Sequence, residues 1–333
     1  MDNIRVWREV DAAAFKDIRA AAEPAMMKGL AAHWPIVAAA GQGDGACADY
    51  LRGLALEAPV SFMRASPEVE GRLHYGESVA TLNFERKESS LGQFLTQLIA
   101  EAGKSRPEAL ALQGMPAPER LPGFMEANQL AILPPSIIPR LWIGNAAKVA
   151  IHHDPTENVA CVAAGRRLFT LFPPEQVGNL YMGPFQPTPA GVQVSMAHLT
   201  APDLERFPRF ADALGAARQA ELEPGDAIYI PYHWYHHVEA LDHFNVLVNY
   251  WWDSARTDIG SPWDALMHGM MSLRTLPLDQ RRAWRAMFDH YVFLANGDPG
   301  AHLAPDARGI LSASSPQEVA QMRAAILAKL QHR

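Results

Sequence analysis

The chain of 333 residues has only two cysteines, Cys47 and Cys161, far apart in sequence. So few thiols exclude a disulfide scaffold and a thiolate zinc site, and both cysteines read as small buried apolar residues. No run approaches the roughly eighteen consecutive apolar residues of a membrane span. The start, Met1-Asp2-Asn3-Ile4-Arg5, lacks the apolar core of a signal peptide. A cytoplasmic protein without a membrane segment is expected. Positive charge is not in excess: a formal net charge of -7 argues against a duplex-binding surface, so nucleic acid is not an expected partner. Repeats, low-complexity tracts and long linkers are also lacking, and the chain reads as globular throughout. Its 49% hydrophobic and 20% charged residues suffice for a sizeable core, as one large β-rich domain or one domain with helical additions.

Three regions differ in texture. Residues 1–136 mix helical stretches with short extended pieces such as Pro59-Val60-Ser61-Phe62-Met63, and read as a support for the strand-rich region after them. Residues 137–256 hold most of the strand signal. Arg167-Leu168-Phe169-Thr170-Leu171-Phe172 and Phe244-Asn245-Val246-Leu247-Val248-Asn249-Tyr250-Trp251 are rich in β-branched and aromatic residues. Residues 257–333 are helical in pattern. There Ser315-Pro316-Gln317-Glu318 supplies a cap, a first-turn proline and a glutamate three after the cap, and Val319, Met322, Ile326 and Leu330 form one apolar face. That face is expected to pack on the body of the chain or on the same helix of a second subunit. The fold class expected is mainly β with added helices: a double-stranded β-helix (jelly-roll or cupin) core, helical N-terminal elements and a C-terminal helical region.

The most informative residues are His152-His153-Asp154 and His236-His237. In a strand, residues two apart share a face, so His152 and Asp154 can reach one ion while His153 points elsewhere. The second imidazole comes after Pro224-Gly225-Asp226, a turn, and the apolar run Ala227-Ile228-Tyr229-Ile230, which predicts His236 near the start of the next strand. Two imidazoles and one carboxylate are the facial set that leaves open positions on a non-haem Fe(II) ion. Trp234, Trp251 and Trp252 read as barrel packing. Asn249, in phase with Leu247 and Trp251 on an apolar strand, needs a partner if buried and is a candidate pocket residue.

With those residues stand Leu141-Trp142-Ile143-Gly144, Ala164-Gly165-Arg166-Arg167 leading to Leu171-Phe172-Pro173-Pro174, Leu180-Tyr181, and Trp234-Tyr235-His236-His237-Val238 before Val248-Asn249-Tyr250-Trp251. Together they resemble the JmjC and cupin-like 2-oxoglutarate oxygenases, and within them the branch containing the asparaginyl hydroxylase that inhibits hypoxia-inducible factor. Lys28-Gly29-Leu30, His33-Trp34-Pro35 and Leu82-Asn83-Phe84 extend the likeness upstream. The resemblance implies that His152, Asp154 and His236 hold Fe(II), that Asn158 and Asn249 line the pocket of the cosubstrate 2-oxoglutarate, and that Arg167 meets its distal carboxylate in place of a lysine. Val149 stands where relatives have a hydroxyl residue, and Ala111 where one has a tyrosine. Arg72, Tyr75 or Tyr229 are the candidates to supply what those two positions lack. It also implies a parallel between the C-terminal helices and those of relatives that dimerise there, hence a possible homodimer in this sense only.

Three classes of function stay open. One is an Fe(II)- and 2-oxoglutarate-dependent hydroxylase acting on a protein or peptide side chain or on a small molecule. Another is a cupin metal enzyme that does not use 2-oxoglutarate, and the third a non-catalytic sensor on the same barrel. Substrate choice is expected in loops at the barrel mouth, including residues 182–201.

Overall fold

Eight strands succeed one another between residues 139 and 252 of the computed structural model, which describes residues 1–189, 191–254, 259–311 and 315–331. They are β1 (Pro139–Gly144), β2 (Lys148–His153), β3 (Glu157–Ala164), β4 (Arg167–Phe172), β5 (Arg218–Leu222), β6 (Ala227–Ile230), β7 (Tyr235–Ala240) and β8 (Asn245–Trp252). One sheet holds them in the order β6-β3-β8-β1, the other in the order β5-β4-β7-β2. Every neighbouring pair within these two sets is antiparallel. This is the double-stranded β-helix expected from the sequence.

The sequence before residue 137 does not stand apart from this barrel. Its strands Ala109–Pro116, Pro59–Ala65 and Glu85–Ser90 continue the first sheet beyond β1, and Ala25–Lys28 and Arg5–Arg8 continue it beyond β6, to nine strands in all. The second sheet gains Asp2–Asn3 and Arg72–Leu73 at its edges. Residues Met1–Asp253 accordingly form one compact unit and Ser254–Arg333 another.

Both faces of the central strands β3 and β8 of the larger sheet are buried, which explains their nearly continuous apolar runs. Along β3, Ala160 and Val162 face the barrel interior with Phe169, Leu171, Ile228 and Leu247. Val159, Cys161 and Ala163 face the other way, toward Phe15, Trp34, Leu51 and Phe94 of the N-terminal region. Each of the large side chains fully buried here stabilises the fold by about 1.5–3 kcal/mol. Cys47 and Cys161 are both buried and free, and burial pushes the Cys47 thiol up to about 12, far from a reactive thiolate.

Two turns fix the geometry. Gly165, between β3 and β4, has φ +67°, and a Cβ there would lie 2.4 Å from the Phe244 carbonyl oxygen and 2.6 Å from Asn245 Oδ1. Only glycine lets this turn approach the start of β8 so closely. The Pro224-Gly225-Asp226 turn is present as the sequence predicts. Buried Asp226 accepts from the backbone N–H of Gly29 (2.9 Å) and of Glu223 (3.1 Å) and from Lys28 Nζ (2.9 Å), tying the N-terminal Lys28-Gly29 pair to the strand that precedes the second imidazole.

The unit Ser254–Arg333 contains helices Pro262–Leu273, Leu278–Tyr291 and Pro316–Gln331. Its last helix opens with the capping box expected: Ser315 N–H donates to Glu318 Oε2 (2.9 Å) and Glu318 N–H to Ser315 Oγ (3.3 Å). Of the expected apolar face, Val319 is buried while Ile326 and Leu330 are exposed. The boundary read between residues 256 and 257 lies outside the described residues. Among the described residues no helix is long and apolar enough to cross a membrane.

Candidate metal centre

His152 on β2 and His236 on β7 are Cα partners in an antiparallel pair. Directly opposed residues of neighbouring strands project from the same face, so the two rings meet with centroids 4.3 Å apart. Asp154 lies one residue past the end of β2, and the alternation that brings it to the side of His152 sends His153 away, onto His233 and Tyr235. One ligand atom from each of His152, Asp154 and His236 lies within 4.8 Å of the others.

The hydrogen bonds decide which nitrogens are free. His152 Nδ1 faces the Ala150 carbonyl oxygen at 2.9 Å, and His236 Nδ1 faces that of Trp234 at 3.2 Å. A carbonyl only accepts, so each Nδ1 carries the hydrogen and each Nε2 presents its lone pair. Burial pushes His236 down to about 4, so its ring is neutral at pH 7, as a ligand must be. Asp154 Oδ2 accepts from Trp251 Nε1 at 3.1 Å and from Asn158 Nδ2 at 3.4 Å, and lies 3.7 Å from His236 Nε2. Two imidazoles with Nδ1 held by carbonyls and an oriented carboxylate with open space before them fit a divalent first-row metal of the Fe(II) type.

Behind the triad is an inner chamber of about 40 Å³, lined by Asn158, Arg167, Leu247 and Asn249 together with the three metal-ligand candidates. Arg167 is 7% exposed. Its Nη2 donates to the Trp142 carbonyl oxygen at 3.3 Å, while its Nε finds no partner. Burial lowers the guanidinium to about 10, well within the charged range at pH 7. Apart from Asp154 no acidic side chain among the described residues lines the chamber. A buried cation with an unsatisfied donor and no counter-ion is the complement of an anionic ligand group, above all a carboxylate taken by the planar fork. Asn158 Oδ1 is likewise buried without a partner. Asn249 Oδ1 accepts from Trp142 Nε1 at 2.8 Å, so it orients that indole.

The structure thus brings together His152, Asp154, His236, Asn158, Arg167 and Asn249. It does not bring in the residues considered as substitutes for the missing hydroxyls. Tyr229 donates to Glu157 Oε1 at 2.7 Å on the helix-covered side of the sheet, Tyr75 donates to the Pro187 carbonyl oxygen at 2.9 Å, and Arg72 lines a crevice with Lys148, His198 and His237. Ala111 packs against Met63, Leu73 and Phe84, whereas Val149 does line the inner chamber. Trp142 and Trp251 are the residues that sequence reasoning missed. Trp251 reads as packing, yet it lines the chamber and holds a candidate ligand. Its position two residues beyond Asn249, hence on the same strand face, is the signal that points to it.

Past Trp142, Val149, His152, Asp154 and Trp251 the space opens into an outer chamber of about 360 Å³. Its far wall comes from Met63, Leu73 and Phe84 of the N-terminal region and from Val192 and Val194 of the segment after β4. That segment is pinned rather than loose. Gly183 N–H donates to the Val194 carbonyl oxygen (2.8 Å), Ser195 N–H to that of Ile151 (2.8 Å), and His74 Nε2 meets that of Ser195 (3.0 Å).

Residues 11–258 match the cupin-like domain family. Among curated proteins, the chain is similar to Lysine-specific demethylase JMJ31 of Arabidopsis thaliana, 33% identical over 134 residues that make up 40% of this chain and 23% of that protein. It is 31% identical over 150 residues to human HSPB1-associated protein 1, covering 43% of this chain and 30% of the relative. To Lysine-specific demethylase 8 of Xenopus tropicalis it is 31% identical over 112 residues, 33% of this chain and 24% of that protein. The similarity therefore spans less than a third of the length of these relatives.

Proposed function

The chain belongs to the cupin-like domain family, and from that premise we propose that it is an Fe(II)- and 2-oxoglutarate-dependent oxygenase that hydroxylates a substrate held in front of the triad. Similarity to two proteins named as lysine-specific demethylases supports an oxygenase reading, as does the His152, Asp154 and His236 cluster. Membership of the branch of the factor-inhibiting asparaginyl hydroxylase is part of the proposal and rests on the motifs around Asn158, Asn249 and Trp251.

The observation that carries the reading is Arg167: a buried guanidinium with an idle Nε, in a chamber that also holds the metal-ligand candidates. When bound, Fe(II) with a 2-oxo acid supplies O₂ activation coupled to decarboxylation, yielding succinate, carbon dioxide and a hydroxylated product. The chain's own part is placement. His152 and His236 offer Nε2 because carbonyls hold Nδ1, Trp251 and Asn158 orient Asp154, and Arg167 neutralises the far carboxylate of the acid. No nucleophile or general base is required of the protein.

The test is an anaerobic titration of 2-oxoglutarate into the Fe(II)-loaded protein, monitored by the visible charge-transfer band of a chelated 2-oxo acid. A saturable band, lost in His236→Ala and weakened in Arg167→Ala, is expected. No band despite bound iron would refute the cosubstrate assignment.

A second reading, a cupin metal enzyme that dispenses with 2-oxoglutarate, draws on the size of the inner chamber. About 40 Å³ is room for a few water molecules, so a five-carbon acid must widen it on entry. Absence of the band together with tight metal binding would make this the leading reading. For the C-terminal helices the proposed partner is a second copy of the chain, because Leu266, Met267 and Met271 on one helix are exposed.

A further inference from the structure

We infer that the outer chamber takes an uncharged, mainly apolar group of the substrate, held by one hydrogen-bonding function that Gln113 and Thr156 meet. This rests on the oxygenase reading only in calling that group the substrate; the chemistry of the chamber stands by itself.

The chamber is large enough to matter: about 360 Å³, within the range of small-ligand sites. Met63, Leu73, Phe84, Val149, Val192 and Val194 make its walls apolar. Among the described residues Asp154 is the sole charged side chain in the lining, and it is held by Trp251 and Asn158 as a candidate metal ligand. A charged group entering this space would shed its water and meet no uncommitted counter-ion among the described residues of the lining, a loss of several kcal/mol in the absence of pairing.

A cation is disfavoured twice over. Its neighbours at the edge of the site are themselves cationic: Arg86 Nη2 donates to the Pro189 carbonyl oxygen (3.4 Å), and the Arg140 guanidinium lies 5.8 Å from the centroid of the Trp251 ring. Nor do the aromatics form a box around an ammonium. Trp142 and Trp251 stand edge to face at 79°, with both indole N–H groups committed to Asn249 and Asp154, and Arg140 already takes the cation-binding role at Trp251. The methyl-lysine group implied by the names of two relatives is thus a poor match for this chain's chamber.

One neutral polar group in the chamber is idle, and a second stands in the lining. Thr156 Oγ1 is buried with no hydrogen-bond partner, and the Gln113 side chain lines the same space. A hydroxyl donates or accepts and a carboxamide does both, so an amide, carbonyl or hydroxyl on the incoming group would satisfy them. Because such a group could belong to a free small molecule or to a residue of a polypeptide, the experiment separates the two.

The full-length, Zn(II)-loaded protein, without 2-oxoglutarate, is titrated calorimetrically with N-acetyl-phenylalaninamide, N-acetyl-trimethyl-lysinamide and N-acetyl-glutamate amide. The neutral probe is expected to bind about tenfold or more tightly than either charged one. Gln113→Glu and Thr156→Val, both near-isosteric, are each expected to weaken it by about threefold or more, which places the probe in the chamber. A short glycine–serine peptide with one central Phe then reports the source: binding about tenfold tighter than the capped residue points to a polypeptide, and no gain points to a free small molecule. Equal or tighter binding of either charged probe, no binding of any probe, or affinity unchanged in both variants would overturn the inference. The readout needs neither iron nor turnover, so failure of the charge-transfer test would leave it standing, and its own failure would leave the oxygenase reading intact.

Discussion

Trp251 Nε1 donates to Asp154 Oδ2 at 3.1 Å. A strand that reads as core packing thus supplies the group that holds the carboxylate of the candidate metal centre. Replacing Trp251 by Phe keeps most of the packing and removes the donor. Metal affinity is expected to fall by roughly 10–100-fold, the range seen when a hydrogen bond to a metal ligand is lost. Competitive titration against a chelating dye measures it, and unchanged affinity in a folded variant would deny Trp251 this role.

Loading the centre should stabilise the whole of the Met1–Asp253 unit, since metal binds only where β2 and β7 are paired. At a free metal concentration about a hundredfold above Kd the gain is about 2.7 kcal/mol, on the order of 5–10 °C in melting temperature. Asp154→Ala should show no such rise by calorimetry. A rise of the same size in that variant would mean that the metal sits elsewhere.

Arg167 is buried at a cost to folding, which the proposed cosubstrate role would offset. Its guanidinium is buried with no ion-pair partner among the described residues of the chamber, so Arg167→Met is expected to raise the stability of the ligand-free protein by on the order of 1 kcal/mol while weakening 2-oxoglutarate binding. Denaturant melts and the charge-transfer titration read the two effects separately. Loss of stability with retained binding would contradict both halves.

His74 is buried, and burial lowers its pKa below the usual imidazole value. Neutral His74 is therefore the native form, with Nε2 meeting the Ser195 carbonyl oxygen at 3.0 Å. The contribution is present above an unfolded pKa of about 6.5 and is lost as pH falls from there through the lower folded value. Hydrogen exchange at the Ser195 amide, corrected for its intrinsic rate, should accelerate over that window. In His74→Gln, which keeps a donor but does not titrate, the acceleration should vanish; the same slope in the variant would assign it to another group.

Much of the centre is legible in the chain. The i, i+2 spacing of His152 and Asp154 requires only that a strand alternates faces, and the Pro224-Gly225-Asp226 turn with its apolar run places His236 near a strand start. The capping box at Ser315 and Glu318 is equally local. Trp142 and Trp251 are harder to read, because an indole serves a core and donates a hydrogen bond with the same side chain. Arg72, Tyr75 and Tyr229 do not supply a second carboxylate partner, and the reason they mislead is related. Whether those side chains face the inner chamber depends on contacts that no local pattern encodes, and each is engaged or located elsewhere.

The sequence by itself determined the strand alternation, the turn glycines and the identity of the candidate metal-ligand side chains, since these depend on backbone sterics and residue chemistry within a few positions. The tertiary structure alone decided that His236 lies opposite His152, that Arg167 is sealed in without a counter-ion, and that Met63, Leu73 and Phe84, far upstream, wall the outer chamber. Pairing register and the packing of distant segments are set by the burial of whole sheet faces at once, a collective free energy that no short stretch of chain carries.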